Sequence, residues 1–134
     1  MASELRVNTL KDAAGANSVA MTYVAGGSAK VWVNFDFAST TERDALNLSS
    51  ITDNGTADMT LTFSSAMGNA NYATTGMSGE VSGTGVPDGV VQAARNGGYS
   101  GAFTTTTTRL RCTNLAGSAV ERGFAAVAMM GDLA

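Results

Sequence analysis

The chain reads as an all-β protein, an antiparallel β-sandwich of the jelly-roll kind. Three observations predict this. Apolar residues recur at every second position through most of the 134 residues, the signature of strands with one buried face. Gly 16 against Pro 1, with Ser and Thr throughout, suits short strands joined by tight turns. No segment longer than a turn carries a helical period. Seven to ten strands at the observed spacing fit a sandwich or barrel.

Length and composition set the frame. A chain of 134 residues is one domain, 1–134, and a domain of roughly 150 residues buries about two-thirds of its unfolded surface. The hydrophobic fraction of 44% and charged fraction of 14% exclude a disordered chain. Such low charge is unusual for a free-standing monomer, because charged side chains keep surfaces apart. With two lysines, six arginines and a formal charge of −3, there is no basic stripe to neutralise phosphates, so no nucleic acid is expected as partner. No run approaches the ~18 apolar residues of a membrane span, and Met1 to Val7 lacks a signal peptide's apolar core. The sequons at Asn47 and Asn54 are therefore read as chance matches.

Each element follows from local pattern. Leu5, Val7 and Thr9 mark a first strand, ended by Asp12-Ala13-Ala14-Gly15. Val19 to Val24 is a second, stopped by Gly26-Gly27. Residues 1–27 thus form an N-terminal strand or arm able to dock on a partner. Ala29 to Phe37 is the clearest strand: Val31, Val33, Phe35 and Phe37 point one way, and Lys30, Trp32, Asn34 and Asp36 the other. Ala38 to Asp44 is a helical turn or a loop. A hairpin follows, with Leu46, Leu48 and Ile51 leading to Asp53-Asn54-Gly55-Thr56, and Met59, Leu61 and Phe63 returning. Asn54-Gly55 favours a type I′ turn, whose central residues both need positive φ.

Asn69 to Ser78 reads as a further strand and Gly79 to Gly89, with Pro87, as a loop. Val90 to Ala94 and Tyr99 onward bracket a second Asn-Gly, at Asn96-Gly97. Thr104 to Thr108 makes a good strand because Thr is β-branched; Leu110 and Cys112 continue one of its faces. The last strand runs from Ala119 to about Met130, with Gly123 as a bulge where the apolar face switches.

Chemistry is then tested residue by residue. His 0 removes the usual general base, the usual metal ligand and every His-containing triad. Ser100 sits one position off a nucleophile elbow. Gly83 to Asp88 fails the phosphate-loop fingerprint at its last residue. Asp53 and Asp58 flank one turn, and Asp36 and Asp44 lie close in sequence. They lack calcium-loop spacing and read as solvated turn acids. The lone Cys112 rules out an internal disulfide and reads as a buried thiol. No catalytic residue, metal or cofactor is expected. Trp32 fills a second core layer, packs in a subunit interface or stacks on a sugar. Asn96 and Tyr99, at a turn, are the candidate ligand-facing pair.

The block from Lys30 to Tyr72 supports a further reading. Its Lys30, Trp32, Val33, Asn34 and Phe35 lead through Arg43, Asp44 and Asn47 to Ser50–Thr56. Thr60, Phe63, Met67 and Ala70–Tyr72 then follow. This pattern resembles the distal β-structured domain at the ends of tail fibres from phages of aquatic bacteria. The likeness covers about a third of the chain; Glu4 to Leu10 also has the flavour of the strand that precedes such domains. Ala45 departs from the family's serine, Met59 from its aromatic and Gly68 from its proline, and residues beyond Gly79 do not match. The resemblance implies a homotrimer of a virion protein, with other virion proteins and host-surface glycan as partners, and carries over no catalytic residues. Independently, low surface charge and the small residues of the last strand suit subunit contact. Trp32, Ala126, Ala128 and Met130 are the candidate interface.

The chain shows no shaft, heptads or collagen-like repeat, so a separately encoded fibre tip or adaptor is the preferred expectation. A trimeric capsid decoration protein is the alternative, and a carbohydrate-active enzyme a third class.

Overall fold

Period-two alternation becomes two packed antiparallel sheets in the computed structural model, which describes residues 6–79, 90–93 and 102–134. The strands are β1 (Thr9–Lys11), β2 (Ser18–Ala20), β3 (Ala29–Phe35), β4 (Glu42–Leu46), β5 (Leu48–Gly55), β6 (Asp58–Phe63), β7 (Ala73–Gly79), β8 (Val90–Ala93), β9 (Thr107–Thr113) and β10 (Phe124–Met130). One sheet has the order β4-β3-β10-β7 and the other β5-β6-β9-β8, while β1 and β2 form a separate ribbon. All pairings are antiparallel. The fold is the all-β sandwich expected from the alternation.

The core lies between the two four-stranded sheets. Val31, Val33, Phe35, Ala125, Val127 and Met129 enter it from the first, and Met59, Leu61, Phe63, Leu110 and Cys112 from the second. Burial alternates strictly along β3, β6 and β10, so each strand gives one face to the core and one to the surface. Cys112 is fully buried, and its Sγ lies 3.1 Å from Ser78 Oγ on the opposite sheet. Tyr72 closes one end: its ring meets Phe63 and Phe103 edge-on at 5.9 and 5.3 Å, and its hydroxyl donates to the Thr107 carbonyl at 3.0 Å.

Several local expectations are corrected. Val19 to Val24 is not a strand; β2 ends at Ala20 and Met21–Gly27 is a short helix, α1. The β1–β2 ladder closes where Met21 N–H donates to Asn8 O, so the following backbone satisfies itself by coiling. Among the described residues the first strand starts at Thr9, so Val7 is not part of it, and Leu5 lies with residues 1–5 outside the described residues. After a loop, Glu42 to Asp44 belongs to β4. Asp36 Oδ1 accepts from the N–H groups of Ala38 (2.8 Å) and Ser39 (3.1 Å), and Thr40 takes φ 54°, which turns the chain back onto β3.

The β5–β6 turn is centred on Thr56-Ala57, not on Asn54-Gly55. Gly55 pairs with Asp58, and the register shifts between Asp53 and Gly55. Side chains and burial decide this. Asp53 accepts from Gly55 N–H at 2.8 Å, Asn54 reaches Thr60 Oγ1 at 2.9 Å, and buried Ala57 accepts from Cys112 N–H at 2.9 Å. Thr104 to Thr106 is a turn rather than strand: Thr104 Oγ1 accepts from the N–H groups of Thr106 and Thr107, and such local bonds compete with a ladder. The Asn69–Ser78 strand narrows to Ala73–Gly79. Gly123 precedes β10 instead of bulging within it, and its carbonyl accepts from Arg43 Nη2. Because no bulge switches the β10 faces there, Ala126, Ala128 and Met130 all point outward.

Candidate assembly surface

Alternation that buries Val31, Val33 and Phe35 necessarily turns Trp32 outward, and the same holds for Ala126 and Ala128 beside Val127. Register then gathers them. Trp32 pairs with Ala128 on one side and Leu46 on the other, and Ala128 pairs with Thr75. The adjacent row is Asp44, Asn34, Ala126 and Met77. Trp32, Ala126 and Ala128 thus share one outer face, with Met130, half-buried, further along the same side of β10. Trp32 occupies the surface of this sheet rather than a second core layer.

Two residues of this face escaped the sequence reading. Met77 is 64% exposed and Leu46 47% exposed, unusual for large apolar side chains. Leu46 was missed because it was read as leading into the Ile51 strand of the hairpin rather than as the end of β4, and Met77 because its strand pairing depends on β10. The small side chains of Ala126 and Ala128, beside the backbone of Gly76, leave a shallow depression of about 440 Å³ between Trp32 and Met77. The face is apolar at its centre and acidic at its β4 margin, where Glu42 and Asp44 are exposed.

The second sheet presents an outer face of different character. Asp58, Thr60 and Thr62 on β6 stand beside Thr107, Arg109 and Arg111 on β9. Asp58 receives Arg109 bidentately, Nε to Oδ1 at 2.7 Å and Nη2 to Oδ2 at 2.9 Å, which holds the guanidinium pKa above its ordinary value. A larger cleft, about 940 Å³, opens between β7 and β8, the edge strands of the two sheets among the described residues, beside Tyr72, Thr74, Val91 and Phe103.

Four further acids have structural partners. Asp36 caps its loop and meets Arg43 at 3.4 Å, and Asp53 caps Gly55. Asp44 accepts from Ala45 N–H. Asp12 accepts from Asn17 Nδ2 at 2.6 Å and from Ala16 and Asn17 N–H; these bonds, the Asn17 side chain first, lower its pKa below 3.8. Among the described residues, no group of three His, Cys, Asp or Glu side chains is placed to hold a metal ion. The candidate turn residues Asn96 and Tyr99 lie outside the described residues, as do Ser100, Pro87 and Gly83 to Asp88. No helix among the described residues is long and apolar enough to cross a membrane.

No family model matches the chain, and no curated protein or solved structure matches it.

Proposed function

We propose that this chain is a non-enzymatic structural module of a bacteriophage particle, a tail-fibre component that assembles as a homotrimer and contributes to host attachment. The observation that carries the reading is the outer face of the first sheet, where Trp32, Leu46 and Met77 surround the small residues Ala126 and Ala128. Leaving this face in water forgoes roughly 25 cal/mol for every Å² of apolar surface that a partner would cover. Tryptophan and methionine are also enriched where subunits meet. The tail-fibre part rests on the sequence pattern of Lys30 to Tyr72. That block forms β3 and β4 of the first sheet and β5 and β6 of the second, in unbroken succession along the chain. The lack of histidine and the structural engagement of Asp36, Asp53 and Asp58 support a non-enzymatic role.

Sedimentation velocity at micromolar concentration tests the assembly. The expected species has three times the mass of the 13.6 kDa chain; a monodisperse monomer would refute it. Immunogold labelling of intact particles tests the address. Gold on the tail supports the fibre reading, and gold on the capsid would replace it with decoration.

A further inference from the structure

We infer that the cleft between β7 and β8 is a binding site for an uncharged sugar. The inference rests on the host-attachment part of the proposed function and names both the ligand class and the place that would hold it.

The cleft exists because the sandwich is short of side chains along this side. Among the described residues β7 ends the first sheet and β8 ends the second, and the two strands are not paired with each other. The inward row of β7 offers only Thr74, Gly76 and Ser78, opposite Met129, Val127 and Ala125 of β10. Across the gap, Val91 pairs with buried Cys112 and so faces inward, yet it is only half-buried. Phe103 and Thr74 are half-buried as well. The sheets therefore part into an opening of about 940 Å³, within the range of clefts that take small ligands.

The chemistry of the lining selects the occupant. None of the described residues that line the cleft is charged. A carboxylate, phosphate or ammonium entering it would lose water without gaining a counter-ion. The lining is otherwise mixed: Val91 and Phe103 are apolar, Asn71 and Gln92 carry amides, and Thr74 a hydroxyl. Hydrogen-bonding capacity is left over on these polar residues. The Asn71 side chain makes no hydrogen bond among the described residues. Gln92 spends Nε2 on Thr113 Oγ1 and keeps Oε1, and Thr74 Oγ1 is buried without a partner. A wholly apolar ligand would leave such groups unsatisfied, and a wholly polar one would leave Val91 and Phe103 uncovered. A pyranose ring has an apolar C–H face together with hydroxyls that donate and accept, so it answers both. Tyr72 shapes the cleft instead of reading the ligand. Its hydroxyl is committed to Thr107 O, and its ring meets Phe103 edge-on at 5.3 Å, which braces the Phe103 side chain. A braced wall costs little ordering on binding.

Saturation-transfer NMR and isothermal titration calorimetry on the full chain test the site. The probes are neutral trisaccharides of glucose, galactose, mannose and N-acetylglucosamine, with trigalacturonate as the charged probe and 1-octanol as the apolar one. The expected result is saturable binding of at least one neutral trisaccharide and of neither other probe. Asn71→Ala weakens that binding about three- to tenfold, and Val91→Phe, which narrows the cleft, removes it. Far-UV circular dichroism verifies the fold; should Val91→Phe disturb it, Asn71→Ala decides alone. Failure of every neutral trisaccharide, binding of trigalacturonate or octanol only, or equal affinity in both variants would overturn the inference. A chain that labels the tail but binds no sugar would overturn the cleft site and leave the tail-fibre reading standing. Sugar binding by a chain that labels the capsid would keep the cleft site and overturn the tail-fibre reading.

Discussion

Tyr72 illustrates what a single side chain does here. Buried against Phe63 and Phe103, it spends its hydroxyl on the Thr107 carbonyl. Burial, the largest influence, raises its pKa above the ordinary 10.0, and hydrogen bonding opposes this. A raised folded-state pKa favours the neutral phenol, so its contribution is fully present below pH 10.0 and is lost as pH rises through the folded value. Urea midpoints measured against pH should fall on the alkaline side. Tyr72→Phe should remove this alkaline contribution and cost about 1 kcal/mol at neutral pH. Residues of this kind were partly legible in the sequence. Alternation placed Val31, Val33, Met59, Leu61, Leu110 and Cys112 inside, but nothing local to Tyr72 names Thr107 as its acceptor.

Elements were legible where they carry alternation and obscure where they depend on a neighbour. β3 and β6 lie where the pattern puts them, because burying one face is a property of the strand itself. β4 has no such pattern, and it is a strand only because the loop capped by Asp36 lays it along β3. β7 depends even more on its partner. Its inward positions are Thr74, Gly76 and Ser78, facing Met129, Val127 and Ala125 in register. A Cβ at Gly76 would stand 2.9 Å from Ala126 O and 3.0 Å from Val127 Cγ2. Backbone oxygen cannot step aside cheaply, so Gly76→Ala should cost about 1–3 kcal/mol, read as a lowered urea midpoint with unchanged slope.

At the scale of the molecule, two sheets share one core, so neither should melt alone. Leu61 lies fully buried on the second sheet, whereas Trp32 reports from the outside of the first. Leu61→Ala should cost about 2–5 kcal/mol. Its unfolding curves by far-UV circular dichroism and by Trp32 emission should coincide; separate transitions would show that the sheets fold independently. The sequence by itself determined the all-β class, the inward and outward faces of the principal strands, and the absence of histidine chemistry. These properties are local or compositional and survive any rearrangement of the strands. Only the tertiary structure decided that β3 pairs with β10, setting Trp32 beside Ala128 and joining Leu46 and Met77 to them. Pairing between distant segments is set by which strand edges meet around a common core, and no local period records that choice.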